Sequence, residues 1–594
     1  MITAESIVFA SITVNLLLFK VSRLSQKFHL GTRLFEIKKG LLQPQQRKRR
    51  LTHQKGSARR LILWYNVIAN ITSNQRKDCT TKMRNCQVRL NMNYEIYIEE
   101  SSPVRVLSNV IDEIYQKEEY TIVSKWNGAI PEDIMMKILI YGYMNDSFSS
   151  RKIEQLCKRD IHFMWLLDGF GAPDHSTISR FRQKMGEQID RVFYAVVKYL
   201  LNMKEISGKN LFIDGTKIEA NANRYTFVWK KSVSKNEQKL RAKLPEILDE
   251  INYAYGVRFP ENTPVSDMIG TLSSLMIKFG IERVYGKGHH KSVYQKALEK
   301  LEGYQQKIQQ YEQYNSLFDG RNSFSKTDTD ATFMHMKEDH MRNGQLKPGY
   351  NIQAAVEGEY IVGIDVSSER SDVNTLIPFL SKLNDLELFV LKNIICDAGY
   401  ESEENYLYLR SHNMTSYIKP VNYEQSKKRN YRTKYGRPEN MEYHEMGDIF
   451  VCKAGRILWR VGTKHEKSKT GFVSEKAMYR CESCEGCPYK QNCTKAKGNK
   501  TLSISHKFKE LRTESLENIT TEFGKQLRMN RSIQAEGVFG VLKQDHGFRR
   551  FLCRGKNNIR TEFLLLGLAY NIKKLFAKIS ENRLGISLFE LKSA

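Results

Sequence analysis

The chain reads as an α/β protein, with a helical N-terminal part followed by a strand-bearing core that two insertions interrupt. Three patterns predict this. Apolar residues recur at helical spacing across residues 92–204. Short apolar runs at 211–218, 350–356, 360–366 and 388–396 read as strands, and Glu357-Gly358-Glu359 joins the middle two as a hairpin. Two apolar runs lead into an aspartate followed by small residues, Asp214-Gly215-Thr216 and Asp397-Ala398-Gly399. Strands that deliver a carboxylate at their ends, with a small-residue turn beyond, are how an open sheet presents ligands to a hard cation. The order of these pieces fits several α/β sheets, and periodicity alone does not choose among them.

At 594 residues the chain is too long for one core, and three or four domains are expected. Residues 1–91 hold 18 Lys and Arg against 3 Asp and Glu, more than half of the net charge of +28. So basic a chain points to a polyanionic partner. The apolar run from Ser6 to Phe19 falls short of the ~20 residues that span a bilayer, and it lacks a charged lead-in, which disfavours a secretory signal. Arg47-Lys48-Arg49-Arg50 reads equally as a DNA-binding tail or an unstructured basic stretch. The expectation is that 1–91 is an upstream translation or a dispensable extension, with the fold beginning near Met92.

In 92–204, Ile134, Ile138, Leu139 and Tyr143 form an apolar stripe, and a second helix starts at Ser150 with a serine cap. Asp174 is placed to cap a third helix, with Ile178, Phe181 and Met185 inward and Ser176, Ser179, Arg180 and Arg182 outward. Helix, turn and basic helix is the plan that lays a recognition helix in the major groove. A plain bundle with a solvated face satisfies the same spacing.

The first aspartate lies in a core segment at 205–235, and the second in a segment at 321–421, where 376–383 is a short amphipathic helix. Between them, 236–320 is helical, and Tyr294, Ala297, Leu301, Tyr304, Ile308 and Tyr311 make a short heptad stripe that suggests an antiparallel arm. Residues 422–510 are polar, basic and cysteine-bearing. The last segment, 511–594, carries Glu536 and an apolar helix from Phe563 to Ile579 that should cover the sheet.

Asp214, Asp397 and Glu536 together suit a three-carboxylate, two-metal phosphoryl-transfer site. Oxygen donors favour Mg²⁺ or Mn²⁺. Asp214 is expected to bridge both ions, with Asp397 and Glu536 each completing one. Glu536, Gly540 and Lys543 fall at i, i+4 and i+7, one face of a helix, where the glycine leaves room for a phosphate backbone and the lysine is placed to touch it. Arg549, Arg550, Arg554 and Lys556 extend that basic track. Cys481, Cys484, Cys487 and Cys493 give C-x2-C-x2-C-x5-C, which favours a structural Zn²⁺. An iron–sulfur cluster is the second reading, and Cys452 could replace one ligand.

The residues around these positions resemble one family. Asp214-Gly215-Thr216, Asp397-Ala398-Gly399-Tyr400 and Glu536 with Lys543 resemble the three acidic boxes of the DDE transposases of bacterial insertion sequences. So do Arg342-Asn343-Gly344-Gln345-Leu346-Lys347-Pro348-Gly349-Tyr350-Asn351, Gly547-Phe548-Arg549-Arg550-Phe551 and Asp174-His175-Ser176-Thr177-Ile178-Ser179-Arg180-Phe181-Arg182. The resemblance runs from about residue 92 to the end. It implies a cut-and-paste enzyme with an RNase H-like catalytic core that binds terminal inverted repeats and performs metal-dependent strand cleavage and strand transfer. Its partners would be double-stranded DNA, as transposon end and as target, and a second copy of the chain when assembled on DNA. It implies no membrane and a cytoplasmic, nucleoid-associated location. One departure stands out: relatives often carry a Tyr and an Arg shortly before the Glu, the Arg four residues ahead. Here those positions are Met529 and Ser532, with Arg531 one step off. A nuclease on the same core without strand transfer, and a domesticated non-catalytic DNA-binding protein, are the competing readings.

Overall fold

A computed structural model describes residues 94–586, apart from 121, 187, 257, 261, 262, 287 and 337–343. The expectations for residues 1–91, and for Arg342-Asn343, lie outside the described residues.

Six helices come first: α1 Pro103–Gln116, α2 Glu132–Met144, α3 Ser150–Cys157, α4 Ile161–Leu166, α5 His175–Lys184 and α6 Gln188–Asn202. The four-residue stripe expected on α2 understates its burial. Every residue from Ile134 to Met144 is buried, because α2 is surrounded by α1, α3, α4, α5 and the last helix of the chain. α3 is preceded by Ser149 in extended conformation and carries no side-chain cap, so the expected Ser150 cap is not made. Asp174 does cap α5, accepting from Thr177 N at 2.6 Å, and Ile178, Phe181 and Met185 are buried as expected.

The sheet begins with β1 Asn210–Glu219. After β2 Phe227–Trp229 come four helices, α7 Lys230–Ala242, α8 Leu244–Tyr255, α9 Val265–Lys278 and α10 Val293–Phe318. The last three share an apolar cluster of their own around Leu272, Leu298 and Leu301. β3 Ser323–Ser325 returns to pair with β2. Then follow β4 Thr332–His335, β5 Leu346–Glu357, β6 Tyr360–Ser367, α11 Leu376–Asn384, β7 Asn393–Cys396, α12 Glu403–Ser411 and β8 Thr415–Ile418. The order across the sheet is β4 and β6 beside β5, then β1, β7 and β8. β6, β5 and β1 are antiparallel, whereas β1, β7 and β8 are parallel. The β5–β6 turn uses Gly358 and Glu359, both at positive φ (61° and 75°), which matches the strand twist in a two-residue hairpin. A Cβ at Gly358 would lie 2.5 Å from the Glu205 carbonyl oxygen, so only glycine fits. The strand expected over 388–396 forms only at 393–396, although Phe389 and Leu391 are buried.

Residues 442–504, predicted only as a polar, cysteine-bearing insertion, form a five-stranded antiparallel meander. Its strands are β9 Glu442–His444, β10 Ile449–Val451, β11 Ile457–Lys467, β12 Val473–Cys481 and β13 Thr501–Ile504. It has a small core of its own around Phe450, Leu458, Tyr479 and Leu502. The chain continues through α13 His506–Thr520 and α14 Glu522–Arg531. It stays helical to Asp545 through two π turns, 532–536 and 541–545, and ends with α15 Lys556–Ser580. α15 packs on β6, α2 and α6, covering the sheet as its apolar sequence predicts. No helix among the described residues is long and apolar enough to cross a membrane.

Candidate active site

Asp214 is 5 % exposed and lies in the middle of β1, not at its end. β1 continues to Glu219 because β5 keeps pairing with it that far. Its parallel neighbour β7 stops pairing at Ile213 opposite Cys396. Asp214 and Asp397 are therefore the next residues on two adjacent parallel strands, where one strand runs on and the other turns away. Asp397 caps the single helical turn Ala398–Tyr400, its carboxylate accepting from Gly399 N at 2.8 Å.

The glycine after each aspartate has a steric reason. A Cβ on Gly215 would meet Asp372 Oδ1 at 2.5 Å, and one on Gly399 would lie 3.5 Å from Asp372 Oδ2. Asp372 thus sits between the two stations, a carboxylate that the sequence reading missed. Asn351 Nδ2 and Gln353 Nε2 donate to its Oδ1 at 2.7 and 3.1 Å, and Tyr400 OH donates to Gln353 Oε1. Ser371-Asp372-Val373 has no local signature of this role. The only clue lay in Asn351 and Tyr400, motif residues whose polar ends converge on this network.

Glu536 reaches the same place from the helical side. Arg531 Nη2 donates to Glu536 Oε1 at 2.8 Å, and Arg531 Nη1 lies 3.7 Å from Asp214 Oδ2. One guanidinium, with its side chain only 14 % exposed, links a strand carboxylate to a helix carboxylate. The burden of negative charge is visible in neighbouring groups. Burial pushes the Cys396 thiol well up, and Asp397, Asp214 and Asp372 push it further, against Arg531. Burial does the same to the Tyr400 hydroxyl, with Asp372, Asp214 and Asp397 adding to it. As the side chains stand, no three His, Cys, Asp or Glu groups among the described residues are placed to hold one metal ion. The hard oxygen donors nevertheless suit a divalent cation, and the guanidinium between Asp214 and Glu536 marks a place where positive charge is accommodated.

Two of the expected DNA contacts, Lys543 and Arg182, are buried. Lys543 does not share an exposed face with Glu536. It is buried, and its Nζ donates to Lys217 O at 3.1 Å. The helix that carries both enters a π turn at 541–545, which departs from the 3.6-residue phase at Lys543. Arg182 is also buried. Its Nη2 donates to Phe148 O at 3.0 Å, and its guanidinium lies 5.7 Å from the Tyr143 ring centroid. Arg549 and Arg550 are exposed but engaged: Arg549 bonds Lys543 O and Gln544 Oε1, and Arg550 bonds the carbonyls of Ala220 and Ala222. Arg554 bonds Asn221 O. Arg550 and Arg554 thus tie the segment after the glutamate helix to the residues that follow β1. On α5, Ser176 and Arg180 are exposed and Ser179 is half-buried.

The cysteines gather in the meander. Cys452, Cys481, Cys484, Cys487 and Cys493 all line one small cavity, and all five are free thiols.

Two family models match the chain. A transposase domain (DUF772) matches residues 92–184, which include α1 to α5. A transposase DDE domain matches residues 451–576, which include Glu536 and all five clustered cysteines, but neither Asp214 nor Asp397. No curated protein and no solved structure matches it.

Proposed function

An insertion-sequence DDE transposase is what both family matches support, and we propose that this chain binds the terminal inverted repeats of its element and cuts and rejoins DNA at Asp214, Asp397 and Glu536. The observation that carries the proposal is the register of β1 and β7, which makes Asp214 and Asp397 neighbours, together with the Arg531 bridge from Asp214 to Glu536. Three antiparallel strands followed by two parallel ones, in the order β6-β5-β1-β7-β8, support an RNase H-like reading of the core.

Asp214, Asp397 and Glu536 would hold two divalent cations, Mg²⁺ or Mn²⁺. When bound, these supply charge stabilisation to the attacking and leaving oxygens of an in-line phosphoryl transfer. The chain's own residues do the positioning. β1 and β7 fix two carboxylates on rigid backbone, and Asp372, held by Asn351 and Gln353, packs against the glycines that follow them. Arg531 offsets the negative charge of Asp214 and Glu536 and lies where a phosphate could also meet it. The exposed face of α5, with Ser176, Ser179 and Arg180, is the candidate for reading the transposon ends. Assembly as a homodimer on DNA and a cytoplasmic, nucleoid-associated location belong to the same proposal.

Asp214→Asn tests it. With a labelled transposon end and Mg²⁺, the variant should bind as the native chain does and make no cut. Loss of binding together with cleavage would give Asp214 a structural role. Cleavage by the native chain with no joined product on added target DNA would favour a nuclease.

A further inference from the structure

We propose that Cys452, Cys484, Cys487 and Cys493 hold one structural zinc ion in the β9–β13 meander, and that Cys481 lies outside the ligand set. This differs from the C-x2-C-x2-C-x5-C reading of the sequence, and it stands apart from the catalytic proposal.

The cavity around which the five thiols gather has a volume of about 20 Å³, the scale of a single small occupant. Three separate pieces of chain bring sulfur to it. Cys452 sits at the β10–β11 turn, where Cys452 N donates to Arg456 O at 3.0 Å and Gly455 N to Cys452 O at 2.8 Å. Cys484 and Cys487 lie in the loop that follows β12, and Cys493 ends the helical turn Lys490–Cys493. That last piece is fixed from behind: a Cβ on Gly436 would fall 1.8 Å from Cys493 O, so the two backbones touch. Zinc sites pair a hairpin-borne thiol with others brought from a distant loop, in tetrahedral S₄ coordination.

The polar surroundings suit a thiolate centre. Lys500 N donates to Cys484 Sγ at 3.2 Å, an outer bond of the kind that orients and tunes a metal-bound sulfur. Lys453, Arg456, Lys490 and Lys500 also line the cavity. They would offset the negative charge that four thiolates keep around one Zn²⁺.

Cys481 is different. It is a strand residue opposite Leu458, 2 % exposed within the meander's core, and its Sγ donates to Ser483 O at 3.3 Å. Among the described residues no three of these sulfurs yet close on one point. Metal entry, with loss of protons, would draw them together.

The meander also needs such a link. Its fully buried apolar set is small, β11 is exposed over most of its length, and a sheet of this size with so little core is commonly held by a metal or disulfides.

The test uses the full chain, purified without chelator, with zinc measured by atomic emission. The native chain and Asp214→Asn should each carry about one zinc per chain. Cys452→Ser, Cys484→Ser, Cys487→Ser and Cys493→Ser should each lower that content at least about tenfold. Cys481→Ala, which keeps the core apolar, should retain it. If a ligand variant is insoluble, Co²⁺ added to the chelator-stripped native chain should still give intense thiolate-to-metal charge-transfer bands in the near ultraviolet. Zinc retained by Cys452→Ser or lost from Cys481→Ala would overturn the ligand set. A brown, iron-bearing chain would overturn zinc. Absence of both metals, with no cobalt bands, would overturn the site.

Discussion

Arg180 and Arg182 look interchangeable in the sequence, and the structure gives them opposite jobs. Arg182→Ala removes a charged donor from Phe148 O, a contact with the Tyr143 ring, and a positive charge that acts on the buried Glu562 carboxyl. Losing a buried charge-assisted hydrogen bond costs about 1.5–3 kcal/mol, and the ring contact adds on the order of 1 kcal/mol. The expected loss is therefore about 3 kcal/mol, at a position only 8 % exposed. Arg180 is exposed, and its guanidinium bonds only within its own helix, to Ser176 O and Thr177 Oγ1. Arg180→Ala should change stability by less than about 0.5 kcal/mol. Urea unfolding of the full chain, followed by far-ultraviolet circular dichroism, separates the two by their midpoints. Fluorescence anisotropy on a transposon end and a scrambled duplex, over a salt series, then reads DNA binding. Arg180→Ala should either relax sequence preference or flatten the salt slope by about one unit, whereas Arg182→Ala should do neither under conditions where it is folded. A fully stable Arg182→Ala that binds transposon ends selectively more weakly would refute the reasoning.

Lys543→Ala should cost about 1.5–3 kcal/mol in unfolding and leave the salt slope of DNA binding unchanged, since its ammonium is held by β1; a flatter slope would return it to the DNA surface. Arg531→Ala should tighten Mn²⁺ binding, followed by electron paramagnetic resonance on the DNA-free chain, because the cation shared by Asp214 and Glu536 is gone; weaker binding would mean that Arg531 builds the site. Burial raises the Glu357 carboxyl above its ordinary range, against hydrogen bonds from Ser207, Gly208, Asn210 and Lys209. Its contribution to stability is thus complete below the unfolded value, about 4.3, and declines as pH rises through the higher folded value. Glu357→Gln should lack that decline, so the stability difference between native and variant chains should shift against the native chain as pH rises from about 4 to 7; a shift in its favour would contradict the burial argument.

The strand-borne aspartates, the hairpin at Gly358, the Asp174 cap and the apolar α15 were all legible in the sequence. Each depends on local chemistry: a period of apolar residues, a turn glycine, a capping side chain next to its amide. What the sequence left undecided depends on neighbours far along the chain. That β1 runs past Asp214 is decided by β5, which pairs on to Glu219 after β7 has stopped. Asp372 joins the site only because Asn351 and Gln353 on β5 hold it there. Lys543 and Arg182 sit where a regular helix would expose them or where a basic helix suggested DNA. Their long side chains instead find Lys217 O and Phe148 O, partners that a helical wheel does not contain. The meander escaped notice because β11 is exposed on both faces for most of its length, and a strand with no buried face leaves no alternation to read. Periodicity determines which side of an element is apolar, but only the packed fold determines where a long polar side chain ends, since it takes whichever unpaired carbonyl or carboxylate the tertiary arrangement brings within reach.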